Sequence, residues 1–199
     1  GNLRKIMLLR KRECPLRSTE SGQIGWTAGV GVLLFIGVFL SACMQMEVFR
    51  ASSQYMEDAL AASNLAAAVV DVEEYGISHN LLIASPENAY ALYLTAIKGN
   101  LNLNDVWECP NKGLISGPVC VERFLVYNVV QNTVEVSSVN ADGSLNSWQG
   151  ILGQETAPNG IPVEHTGIYS EISYQIKGVF GIVVPAVKGK LVDIVGKLY

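Results

Sequence analysis

The chain has 199 residues, 49% of them hydrophobic and 16% charged, with 14 Lys and Arg against 18 Asp and Glu for a net charge of −4. That length allows one or two domains, and so few charges on so apolar a chain argue against a disordered or nucleic-acid-binding protein. The charge is unevenly spread: Gly1–Glu20 carries Arg4, Lys5, Arg10, Lys11, Arg12 and Arg17 against Glu13 and Glu20, a net of +4, which leaves −8 for the rest.

Residues 21–46 follow without a single charge. The most apolar stretch, Trp26 to Met44, is nineteen residues long. As a helix it measures about 28 Å, close to the hydrocarbon thickness of a bilayer. A buried helix of a soluble core normally carries a polar stripe, and this one has none. Basic residues precede it, while Glu47, Glu57 and Asp58 follow, an asymmetry that places the N-terminus in the cytoplasm and Met46 onward outside. The expected organisation is a basic cytoplasmic leader (1–20), a transmembrane helix (21–46), an extracytoplasmic continuation of that helix (47–75) and an extracytoplasmic α+β domain (76–199).

Three processing fates bear on the anchor. Leu40-Ser41-Ala42-Cys43 fits a bacterial lipobox, which would make Cys43 a lipidated N-terminus. Alternatively the chain is retained or is trimmed on the cytoplasmic side near Gly22, either of which keeps the whole apolar helix. No A-x-A-like pattern follows the apolar run closely enough for an ordinary secretory signal.

Between Glu47 and Val70 there is neither Pro nor Gly, and seven alanines fall between Ala51 and Val70, so the helix is expected to continue, the alternative being a short juxtamembrane helix followed by a separate one. Phe49, Met56, Leu60, Ala67 and Val70 recur at helical steps and make a narrow apolar stripe beside Glu57, Asp58 and Asn64. Gly76 and Ser78-His79-Asn80 mark the expected stop. Ser85-Pro86-Glu87 then reads as a second helix start, with Ser85 as N-cap, Pro86 at the first position and an acidic first turn. Its apolar face is Ala89, Leu92, Tyr93, Ala96 and Ile97, and Gly99-Asn100 supplies the stop.

From Val119 the pattern becomes extended. Val121 to Val130 and Thr133 to Val139 are rich in β-branched and aromatic residues, with Gln131-Asn132 as the turn between them. Asn140 to Gly143 and Asn159-Gly160 are further turn signals. Along Ile168 to Lys177, Ile168, Ile172, Tyr174 and Ile176 share one face, while Tyr169, Glu171, Ser173, Gln175 and Lys177 share the other, as in a sheet with one wet face. The apolar tail Val179–Val187 is nine residues long and contains Pro185, too short for a second span.

Cys14 lies in the leader and Cys43 in the apolar helix, so neither is expected to find a partner in its own chain. Cys109 and Cys120 bracket Pro110, Gly113, Gly117 and Pro118. In an oxidising exterior they are predicted to form a disulfide, worth about 3 kcal/mol in the loop-entropy model. The alternative is two reduced thiols. No histidine is near them, so no metal site is expected.

Motifs for chemistry are missing. The two histidines, His79 and His165, fall in expected loops, and no G-x-S-x-G elbow, P-loop, H-E-x-x-H or Gly-rich dinucleotide turn occurs. Glu73-Glu74 are adjacent on a helix and point different ways, which suits a solvated helix end. No catalytic residue and no cofactor is expected. Gly25-x-x-x-Gly29 and Gly37-x-x-x-Ser41 have the small-residue spacing that lets apolar helices approach closely.

A short basic leader ending in Ser21-Gly22, an uncharged helix running into an Ala-rich half, and a sheet domain with a late alternating strand resemble a type IV pilin-like subunit, most closely the TadE-like pilins of tight-adherence (Tad) pilus systems. The segment Gly22-Gln23-Ile24-Gly25-Trp26-Thr27-Ala28 is similar to that family's processing region, and Gly167–Lys177 to its late strand. The resemblance implies a pilin-like spine packed on a small antiparallel sheet with one further helix, cleavage by a prepilin peptidase between Gly22 and Gln23, and a non-enzymatic role in a pilus or related secretion machine. It also implies the membrane, other pilin-like subunits and the assembly machinery as partners, with no nucleic acid. In prepilins the fifth residue after the cleaved glycine is usually glutamate; here it is Thr27, which suits a low-copy or permanently membrane-held subunit.

Overall fold

A computed structural model describes residues 20–110 and 113–195, with backbone alone for 20–24. The basic leader and Cys14 lie outside the described residues. The chain divides into two compact units between Ala42 and Cys43, and a single helix, α1 (Glu20–Ala67), runs through the boundary. It contains no proline, and its glycines all fall in the apolar first half.

In the first unit the described side chains from Gly25 to Ala42 are exposed, except for half-buried Ser41. In the second unit, α1 is one-sided. Met56, Leu60 and Ala67 are buried and Phe49 half-buried, as the stripe predicted. Val70 is not in the helix: α1 stops at Ala67, and Val70 instead bridges Ile83. Asp71 then caps a separate short helix, α2 (Val72–Ser78), accepting hydrogen bonds from the Glu73 and Glu74 N–H groups at 3.0 Å each. The two glutamates sit in that first turn, where the helix dipole favours negative charge. His79 ends α2 with φ 60°. The continuation expected to residue 75 is therefore broken at residues 68–71, because Asp71 supplies a stronger helix start than the alanine run supplies propagation.

Helix α3 (Pro86–Asn100) starts as expected, with Ser85 Oγ accepting from the Asn88 N–H at 3.2 Å and Pro86 in the first turn. Ala89, Tyr93 and Ile97 are buried, whereas Leu92 is exposed, since the face is narrower than the composition implied. Among the described residues two α-helices follow α1, where one further helix is expected from the sequence.

Five strands form one antiparallel sheet in the order β3-β2-β1-β4-β5. They are β1 (Ile115–Val130), β2 (Thr133–Val139), β3 (Leu145–Ile151), β4 (Gly167–Lys177) and β5 (Val183–Asp193). The β1–β2 hairpin turns at Gln131-Asn132, with Val130 opposite Thr133. β1 begins six residues before the apolar run suggested. Its early part holds Gly117, at φ 73°, and Pro118, and the register with β4 shifts there, so the residues that break the sequence pattern are tolerated as an irregularity. The tail thought too short for a span is β5, an edge strand, where Pro185 removes no ladder bond from a central strand.

One sheet face carries Phe124, Val126, Ile168, Ile172, Tyr174 and Ile176, packed with α1 and α3 into the main core. Rings of Tyr90 and Tyr93 lie 5.2 and 5.0 Å from that of Phe124. The opposite face is not simply wet. Leu125, Tyr127, Val134, Val136, Tyr169 and Leu191 form a second core, closed by Ala157 and Val163 from the β3–β4 connection. Tyr169, expected to face solvent, is fully buried. Its hydroxyl donates to Glu171 Oε2 at 2.7 Å, which satisfies the polar end of a buried ring.

Candidate functional site

No set of three or more His, Cys, Asp or Glu side chains that could hold a metal occurs among the described residues. His79 stacks near Tyr75, with ring centroids 6.0 Å apart, and its Nδ1 lies 3.2 Å from the Tyr75 carbonyl. His79 and His165, far apart in sequence, line one cavity of about 240 Å3. A larger cleft of about 630 Å3 includes Tyr90, Arg123, Tyr127, Trp148 and Glu155 in its walls.

The predicted disulfide is not formed: Cys109 is a half-buried and Cys120 an exposed free thiol. The backbone explains why. Glu108 bridges Pro118, and the Val119 N–H donates to the Trp107 carbonyl at 2.9 Å. That antiparallel register sets Cys109 across from Gly117 and Cys120 across from Val106. The two cysteines are three residues out of step, about 10 Å along a strand, beyond what a disulfide can bridge.

Of the other residues singled out from the sequence, Gly22 and Gln23 fall on the backbone-only stretch of α1 and are helical; their side chains lie outside the described residues. Gly25, Gly29 and Gly37 each have open space where a Cβ would stand. Ser41 Oγ donates to the Gly37 carbonyl at 2.8 Å, joining that small-residue pair by an ordinary intrahelical back-bond. Cys43 is exposed on α1, one turn before Glu47.

Around these glycines the helix presents a continuous apolar surface. Trp26, Leu33, Phe35 and Val38 are each at least 70% exposed, and none of the most apolar window of the helix is buried. The helix from Gly25 to Ala67 is long and apolar enough to cross a membrane. In water each such Val, Leu or Phe forgoes about 1.5–3 kcal/mol of burial, and an exposed apolar surface this large marks an interaction site.

The Cys43–Ala67 half is committed instead to its own sheet, and polar groups fix where it lies. Asn64, fully buried, donates from Nδ2 to the carbonyls of Ile168 (3.3 Å) and Lys190 (2.9 Å) and accepts from Ser170 Oγ at 2.6 Å. One amide thus ties α1 to both β4 and β5. Two turns earlier, Glu57 meets Lys190 at 2.7 Å and Lys188 at 2.9 Å. Hydrogen bonds from Lys190 and then Lys188 hold its carboxyl down at about 2. At the start of this half, Gln45 Oε1 accepts from the Val179 N–H at 2.7 Å. At the α3 end, Asn100 Nδ2 donates to Ser63 Oγ at 2.9 Å, and Tyr55 donates to the Asn100 carbonyl at 3.1 Å.

The seam was missed in the sequence, where Asn64 reads as part of the polar side of the helix. The available signal was its position, four residues after Leu60 and three before Ala67, on the apolar stripe itself. Lys188 and Lys190, two apart on one strand face, were the matching signal for Glu57. No family model, curated protein or solved structure matches the chain.

Proposed function

We propose that the protein is a non-enzymatic structural subunit, a minor TadE-like component of a type IV or Tad-type pilus or a related secretion apparatus. It sits in the bacterial cytoplasmic membrane with its N-terminus inside and its sheet domain outside. The observation that carries this reading is the division of labour along α1: from Gly25 to Ala42 uncharged, mostly apolar and exposed, and beyond Cys43 locked onto an antiparallel sheet. In such a subunit the apolar half is stored in lipid and can move into a bundle of like helices, because both environments solvate it equally well. The outer domain rides along unchanged, since its core is complete without the first unit. Pilus machinery and a prepilin peptidase are the partners this reading requires.

The mature N-terminus, measured by mass spectrometry on protein isolated from its host membrane, tests it. A chain beginning at Gln23 supports the subunit reading. A lipidated Cys43 at the N-terminus replaces it with a lipid-anchored extracytoplasmic binding protein, a reading favoured by the cleft beside Trp148 and Arg123. An intact leader leaves a fixed single-pass binding protein.

A further inference from the structure

The turn between β4 and β5 is apolar where the rest of the domain surface is mixed. From Gly178 to Val187 the ten residues are Gly-Val-Phe-Gly-Ile-Val-Val-Pro-Ala-Val, without one polar or charged side chain. Phe180 is 82% exposed, Ile182 53% and Val183 45%. Phe180 also holds φ 62° and ψ 18°, a left-handed conformation that glycine takes without steric cost and a bulky side chain does not. The largest apolar side chain of the turn therefore stands in water, on a backbone that disfavours it. Such outliers point to a function for the side chain rather than to folding.

Its place in the domain says what covers it. The turn is closed by the Gly178 N–H donating to the Ile182 carbonyl at 2.7 Å, and it hangs on α1 through the Val179 N–H to Gln45 bond. Gly178 lies so close to the Gln45 side chain that a Cβ there would overlap the amide. Gln45 follows Met44, the last residue of the apolar run, and precedes Glu47, the first charge after it. The membrane surface on the outer side must fall at this level of α1, because Glu47 and Arg50 belong in water. Residues farther up α1 meet the sheet farther from the turn, Glu57 at Lys190 and Asn64 at Ile168. The β4–β5 turn is thus the corner of the sheet nearest the end of the span. Lys177, exposed at its base, suits a headgroup phosphate.

The geometry points to the Gly178–Val183 turn as a second membrane contact, with Phe180, Ile182 and Val183 lying among the lipid glycerol and upper acyl groups of the outer leaflet. Gln45 sets its depth, and the domain is held at two points instead of pivoting on one helix. This rests on the membrane-spanning reading of α1.

The test uses the full chain with Cys14, Cys43, Cys109 and Cys120 replaced by serine, reconstituted into vesicles of phosphatidylcholine and phosphatidylglycerol. Spin labels are placed singly by Phe180→Cys, Ile182→Cys, Val38→Cys in the span, and Asn132→Cys at the β1–β2 turn. Collisions with oxygen, which concentrates in lipid, are compared with those of a water-soluble nickel chelate. Oxygen should dominate at positions 38, 180 and 182, and nickel at 132. Nickel access at 180 or 182 equal to that at 132, with oxygen dominant at 38, overturns the turn contact and leaves the span intact. Nickel access at 38 as well overturns both. Low access to both reagents at 180 and 182 overturns it in favour of a protein cover.

Discussion

The two halves of α1 share one helix and one backbone geometry, yet one is exposed and the other is packed on a sheet. From Gly25 to Ala42 apolar side chains surround the axis, and almost nothing is buried. From Cys43 to Ala67 the apolar residues occupy one side, and Met56, Leu60 and Asn64 on that side are completely buried. Helix formation is therefore indifferent to the distinction. What separates an anchor from a spine is whether polar residues break the apolar surface into a stripe, because a stripe matches one sheet face while an unbroken cylinder matches only lipid or other cylinders.

Substitutions in the two halves should break different properties. The largest effect is expected from Leu60→Ala, which leaves a cavity between α1 and the sheet and should lower the stability of the outer domain by about 2–5 kcal/mol. Denaturant unfolding of the detergent-solubilised chain measures this, and membrane retention should not change. Val38→Arg is the mirror experiment. It should disfavour insertion by about 2.5–3.5 kcal/mol, seen as loss of protein from the membrane fraction, with the unfolding midpoint of the domain unmoved. If Leu60→Ala released the protein from membranes, or Val38→Arg destabilised the domain, the division between halves would fail.

Smaller changes sharpen the seam. Asn64→Ala strips a fully bonded buried amide and orphans Ser170 Oγ, at an expected cost of about 1–3 kcal/mol. The same denaturant curves report it, and an unchanged midpoint would mean that apolar packing alone sets the docking. Glu57→Gln should matter least, below about 1 kcal/mol, since the pair is partly exposed and screened by salt. It has a pH signature nonetheless. The Glu57 carboxyl is lowered from 4.5 to about 2, so its contribution is complete above about 4.5 and is lost as pH falls toward 2. Glu57→Gln should flatten the stability profile in that acid window, so that its small cost is fully present at neutral pH and disappears as pH falls toward 2.

Much of this was legible because it is local. The uncharged span, the Ser85-Pro86 start of α3, the Gln131-Asn132 turn and the alternation along β4 each follow from a few neighbouring residues. β3 was not legible: Leu145–Ile151 is almost entirely exposed, so no alternation of buried and wet positions marks it. β5 was read only as an apolar tail, since Pro185 obscures a strand that sits at the sheet edge. The Cys109–Cys120 pairing was inferred from a short loop with turn residues, but a bridge between Glu108 and Pro118 puts the two thiols out of register. The alanine run suggested one helix to residue 75, and the capping geometry of Asp71 divided it.

By itself, then, the sequence determined where the charge changes, which segment is long and apolar enough to cross a membrane, and which residues start and stop α3. Those properties depend on composition and on contacts within a few residues. Only the tertiary structure decided that Asn64 reaches Ser170 and Lys190, that Glu57 lies between two lysines of β5, and that the β4–β5 turn hangs from Gln45. Each of those partners is more than a hundred residues away along the chain. Local periodicity can say that such a residue lies on a face, but the identity of its partner depends on strand order and register, which are set when the sheet closes on the helix.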